Sequence, residues 1–212
     1  MKLSLARSPS LAAGVLILLA CAVAPLAHAA PPAFQGRIDL RLQDAEPQGA
    51  NYALSGDRAR IDVPSVAHAH DVHAVVDFAR RMLVTMDESR RQTASLPLPE
   101  LGANAAAVQV RRTGKWRMVV GQPCERWDLT DAGHVVEACV VAGVPWFDPR
   151  RLEGQDVPAW SRRLEAERAF PVSVWEGDGR SARTVFASWA TDVRREVVPD
   201  SELAVPRTAK KP

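Results

Sequence analysis

The chain has 212 residues, room for one good-sized domain, with 27 lysines and arginines against 25 aspartates and glutamates. Lys2 and Arg7 lie in the leader, which holds no acidic residue, so the remainder is formally neutral. That balance argues against a nucleic-acid binder or an anionic-membrane binder, both of which need a basic surplus.

The leader reads as an export signal: Lys2 and Arg7 form a basic region, Leu11 to Leu19 an apolar one, and Ala27-His28-Ala29 a small-x-small site with cleavage after Ala29. The apolar run is too short, and too broken by Pro25, for a spanning helix. Leu18-Leu19-Ala20-Cys21 also reads as a bacterial lipobox, in which Cys21 is acylated and the product stays on the membrane. Both readings place the protein outside the cytoplasm, soluble in the periplasm or secreted in the first, lipid-anchored in the envelope in the second. Contact with a membrane is expected only if Cys21 is lipidated.

From residue 30 the pattern is one of short strands. Phe34 to Leu42 alternates, with Phe34, Gly36, Ile38, Leu40 and Leu42 on one face, as in a half-buried antiparallel strand. Asn51 to Ser55 and Arg58 to Val63 flank a turn at Gly56-Asp57. Val72 to Ala79 is nearly all apolar and predicts a central strand; Met82 to Asp87 predicts the next. Pro97 and Pro99 make Ser95 to Leu101 an edge or an irregular segment, because proline cannot donate to a ladder. A short helix is expected around Leu101 to Ala107.

A hairpin follows. After a tight turn at Thr113-Gly114 and a strand from Trp116 to Val120, β-prone residues flank Thr130-Asp131-Ala132-Gly133. A two-residue loop at Asp131-Ala132 sets Leu129 against His134, Trp127 against Val136 and Cys124 against Cys139. A three-residue loop with Gly133 as a bulge slips this by one and leaves the cysteines diagonal. In both arrangements the thiols come together. The chain has three cysteines, two of them after the leader, and export favours a Cys124–Cys139 disulfide. The chain-entropy model assigns such a loop roughly 3 kcal/mol.

Beyond Asp148-Pro149, a helix is expected from Pro158 to Ala169, with Trp160 and Leu164 one turn apart on its buried side. Phe170 to Trp175 and Ser181 to Trp189 predict another hairpin, Thr191 to Val198 alternates again, and Asp200 to Pro212 is a polar tail. Nine to eleven short strands joined by hairpins, with at most two helices, imply a mainly β protein: one up-and-down sheet curled into a full or partial barrel.

Thr113-Gly114, the run Gly121-x-Pro123-Cys124-Glu125-x-Trp127, Cys139 and the closing Val198-Pro199-Asp200-Ser201-Glu202-Leu203-Ala204-Val205-Pro206 carry a family likeness. They resemble a family of uncharacterised exported bacterial proteins, itself similar to the periplasmic lipoprotein carriers and sensors of the LolA and RseB type. The resemblance covers Phe34 to about Pro206. It implies a single LolA-like domain over residues 30–206, a curved antiparallel sheet forming a half-open barrel with one or two helices on its concave side. A polar tail, 207–212, follows. Leu203 stands where an aromatic is usual, and Arg207-Thr208 where a Gly-Tyr pair is, which implies a weaker final anchoring contact. No functional residue of the lipoprotein carriers maps onto this chain.

The chemistry-bearing patterns are few. His68, His70, Asp71 and His73 form the one metal-like cluster, but on an extended strand His73 points away from the other two, so the site needs a bent loop. Ser173, Ser181 and Ser188 lack a Gly-x-Ser-x-Gly elbow, and Gly177-Asp178-Gly179 is a hairpin turn, not a phosphate cradle. No catalytic residue and no cofactor is expected. All six tryptophans lie in the second half of the chain. In a half-open barrel, Met82, Met86, Trp116, Met118 and Trp127 on the concave face, with Trp160 and Leu164 as a helical plug, would line an apolar groove. The sequence thus predicts a non-enzymatic exported binding protein that holds a lipid, a lipoprotein acyl group or an apolar protein segment. An envelope sensor whose surface binds a protein partner and a periplasmic metal binder using the histidines are the alternatives.

Overall fold

The computed structural model describes residues 34–43, 48–64, 72–87, 92–98, 100, 102–177 and 184–204. The leader with Ala29 and Cys21, the histidines His68 and His70, and the tail 207–212 lie outside the described residues. No helix among the described residues is long and apolar enough to cross a membrane.

Among the described residues, eleven strands form one antiparallel sheet: β1 Gln35–Gln43, β2 Gly49–Ser55, β3 Arg58–Val63, β4 Val72–Asp77, β5 Met82–Asp87, β6 Gln92–Pro97, β7 Gln109–Val119, β8 Gln122–Asp131, β9 His134–Ala142, β10 Ala169–Gly177 and β11 Thr184–Arg195. Their order is β6-β5-β4-β3-β2-β1-β11-β10-β9-β8-β7. Two meanders, β1–β6 and β7–β11, are therefore joined where β1 pairs with β11. The two edges, β6 and β7, are consecutive in the chain yet not paired, so the sheet is half-open and not a closed barrel. Helix α1, Ala103–Ala107, lies in the connection between those edges, and α2, Ala159–Ala166, packs on β8 and β10.

In the first meander, alternation decides the faces. Ile38, Tyr52, Ile61 and Ala74 oppose one another across four strands and are all buried. Their neighbours Asp39, Asn51, Asp62 and His73 form the outer row. Gly36 is required by a close approach: a Cβ there would lie 2.0 Å from the carbonyl oxygen of Arg194 on β11.

The second meander departs from the sequence reading at several points. The β8–β9 loop is Ala132-Gly133, with both residues at positive φ and Asp131 opposite His134. That is the backbone a two-residue primed turn demands. Leu129 consequently faces Val136 and Trp127 faces Ala138, two residues beyond the two-residue-loop register and one beyond the bulged alternative. Cys124 and Cys139 are diagonal and bonded, with Cα atoms 5.4 Å apart. Thr113-Gly114 is not a turn between strands but a bulge inside β7: Gly114 has φ 68°, and Thr113 Oγ1 donates to the carbonyl of Arg126. Residues 191–195 continue β11 instead of forming a separate strand.

The closing segment after β11 is not wholly a polar tail. Leu203 and Val198 bury against Ala53 on the outer face, and Arg37 makes a two-pronged pair with Glu202 at 2.6 and 2.7 Å.

Candidate functional site

The residues expected to line a groove fall into three separate places. Trp127, Trp160 and Leu164 are 0–2 % exposed and belong to the core. Met82 and Met86 stand on the outer face, because Met82 opposes Asp77 and Met86 opposes His73. The period-two alternation of β5 requires this: Leu83 and Thr85 take the inner positions, opposite Val76 and Ala74. Trp116 and Met118 are 67 % and 65 % exposed on the edge strand β7, opposite Glu125 and Pro123. No common groove unites the seven.

The inner face is instead filled by the chain itself. Tyr52 packs against Trp146 and Phe170 with ring centroids 5.9 and 5.0 Å away, which joins the two meanders. Its hydroxyl donates to the carbonyl of Phe147, and burial pushes its pKa well up. Beneath α2 lies a buried polar knot that the sequence reading missed. Asp148 Oδ1 accepts from the backbone N–H and Nε of Arg150, and its Oδ2 accepts from Arg150 Nη2 and Ser161 Oγ at 2.6 Å each. Ser161 Oγ in turn accepts from Trp146 Nε1. The serine proton is thus committed to holding α2, and the carboxylate to a guanidinium, which is an anchoring arrangement and not a nucleophile with its base. The signal was present as Asp148-Pro149, a capping residue followed by proline at the first position of the 3-10 turn Pro149–Glu153.

Two surface features stand out among the described residues. The first is the free edge β7. It carries Arg111, Arg112, Lys115 and Arg117 with no acidic residue, and exposes Trp116 and Met118, with Val120 just beyond its end. Arg111 pairs with Asp128, and Arg117 with Glu137, which also holds Arg126. Burial would raise the Asp128 carboxyl, but the hydrogen bonds from Arg126 and Arg111 override it and hold the pKa down. The second is a cavity of about 210 Å³ lined by Phe78, Leu98 and Ala166 and by four arginines, Arg81, Arg151, Arg162 and Arg168, with Glu100 and Glu165.

His73, the described member of the histidine cluster, bonds through Nδ1 to Asp62 at 2.6 Å on the outer face. Among the described residues, no group of three or more histidine, cysteine, aspartate or glutamate side chains is placed to hold a metal ion.

No family model matches the chain, and no curated protein does. Among solved structures it is similar to PNGF-II in a C2 crystal form, with TM-score 0.45 and 11 % identity over 81 % of this chain and 29 % of that one. It is likewise similar to PNGF-II in a P21 form, with TM-score 0.45 and 9 % identity over 82 % and 30 %. The Pseudomonas aeruginosa MucA/MucB complex gives TM-score 0.41 and 11 % identity over 82 % and 55 %. The chain therefore spans less than a third of the PNGF-II chain and about half of the MucA/MucB chain it matches. Backbone likeness this loose carries no activity or partner across.

Proposed function

We propose that this protein is an exported, non-enzymatic envelope factor that binds a protein partner along the β7 edge, its concavity serving as core. The observation that carries the reading is the contrast between tryptophans. Trp127 and Trp160 are closed inside at 0 % and 2 %, whereas Trp116 stands open at 67 % beside Met118 at 65 %. Large apolar side chains exposed together mark interaction sites, and an unpaired strand edge offers backbone donors and acceptors to an extended partner segment. Aromatic residues and arginine, both present here, are enriched in binding hot spots. The partner segment suited to this edge is extended and apolar, since Arg111, Arg112 and Arg117 already pair with Asp128, Glu167 and Glu137. A lipid held in the concavity has less support, since α2, Trp146 and Phe147 occupy that space.

The test is photo-crosslinking in cells that export the protein, with a photoreactive residue at position 116 or, for comparison, at the outward Trp175. The reading expects a discrete protein adduct from position 116 that is lost when Met118→Asp is added. Adducts to lipid alone, or equal adducts from both positions, would overturn it.

A further inference from the structure

The Arg-lined cavity has a property that core packing does not account for. Of the four non-glycine residues with left-handed backbone among the described residues, two are Arg81, at φ 54°, and Arg168, at φ 52°, and both line this one cavity. Each sits where glycine is the easier residue: Arg81 ends the β4–β5 turn, and Arg168 follows the C-cap of α2. An L-residue in that region is strained by roughly 1–2 kcal/mol, and strain of this kind gathers at functional sites. The negative end of α2 explains a cation at Arg168, just past the helix. It does not explain Arg81, from the first meander, or Arg151, from the 3-10 turn, converging on the same space.

The charges add up for an anion. Four arginines face two glutamates in the lining, and Asp57 on Arg168 and Asp156 on Arg162 balance the set, so two positive charges are presented only once those exposed carboxylates are displaced. Arg151 and Glu165 make a part-buried pair at 2.8 and 3.0 Å that forms the floor, and burial raises the Glu165 carboxyl. At the rim, Arg168 pairs with Asp57 and Arg162 with Asp156, carboxylates whose side chains are 49 % and 90 % exposed. Surface pairs of this kind contribute little, so a ligand can exchange for them. Arg81 Nη2 donates to the carbonyl of Leu98 at 3.4 Å.

We propose that this cavity binds a phosphoryl dianion, free or carried on a small organic molecule, through Arg81, Arg162 and Arg168 above the Arg151–Glu165 floor. Guanidinium forks match phosphate oxygens geometrically, a dianion replaces the two charges of Asp57 and Asp156 on Arg168 and Arg162, and Phe78, Leu98 and Ala166 give an apolar wall for an organic remainder. This site is independent of the β7 edge, and either can fail without the other.

The experiment is calorimetric titration of the purified full chain with inorganic phosphate, glycerol phosphate and succinate at matched ionic strength, with melting curves in chloride alone. Arg81→Gly and Arg168→Gly are the informative variants, because glycine accepts the left-handed backbone and folding is preserved. Each is expected to weaken phosphate binding by about tenfold, as for a lost charged hydrogen bond, while melting at or above the wild-type temperature in chloride. Arg194→Ala, outside the cavity, is expected to change neither. Absent phosphate binding, or binding unchanged in both glycine variants, would overturn the proposal. So would succinate binding as tightly as phosphate, which would mean that the cavity reads charge and not the phosphoryl group.

Discussion

The two meanders solve the same packing problem differently. In β1–β6 the inner positions are Ile38, Leu40, Tyr52, Leu54, Ile61, Val63, Ala74 and Val76, buried by plain alternation. In β7–β11 and its helices the core is held by a disulfide, a buried Asp148–Arg150–Ser161 knot and large rings, with bulges in β7 and β10. The first half is stabilised mostly by area removed from water, the second by specific stitches that fail abruptly when one partner is lost.

That contrast can be broken at defined points. Asp148→Ala should have the largest effect, about 3–5 kcal/mol in urea unfolding, because it leaves the Arg150 guanidinium buried without its counter-charge. A loss under 1 kcal/mol would show that the knot is not a stitch. Replacing Cys124 and Cys139 together by serine should cost about 3 kcal/mol, the entropy of the freed loop, and should lower the melting temperature while leaving the β1–β6 amides protected from exchange longest. In the first meander, Ile61→Val should cost only about 0.5–1.5 kcal/mol, since the core there can relax around a lost methylene.

Acid sharpens the comparison on the outer face. Arg37 holds the Glu202 carboxyl below its ordinary value, so the folded state gains from the charged form. That contribution is fully present above the unfolded value of about 4.3 and is lost as pH falls through the lowered folded value. Glu202 is partly exposed, so the effect is at most about 1 kcal/mol. Proteolysis of the segment after residue 196 should accelerate below pH 4 in the wild type, and Glu202→Gln should show that faster cleavage already at neutral pH. A pH-independent wild-type rate would contradict the Arg37–Glu202 latch. The smallest stability effect belongs to Trp116→Ala, within about 0.5 kcal/mol, because the ring touches little of the core.

The same contrast explains what could be read from the sequence. Period two in residues 34–42 and 58–63, with turn residues between, located strands and inner faces, because nothing in that half disturbs alternation. The β8–β9 hairpin was legible as a hairpin with its cysteines together, but not in register. The register depends on which two of four turn residues take positive φ, and Ala132 gives no sign that it will. Assigning Met82 and Met86 to the concave side failed for a simpler reason: Met82, Val84 and Met86 share one face of β5, and only the pairing with β4 says which face is inward. The Arg cavity was invisible because its members come from four separate segments that only the fold brings together.

The central claim is that the concavity is core and the open apolar surface is at the β7 edge. Iodide quenching of two single-tryptophan proteins tests it, one retaining Trp116 and the other Trp160, each with and without added fatty acid. The account predicts near-free quenching of Trp116, strong protection of Trp160, and no change in either on adding fatty acid. Ready quenching of Trp160 that fatty acid suppresses would contradict it, and would mean an open lipid groove beneath α2.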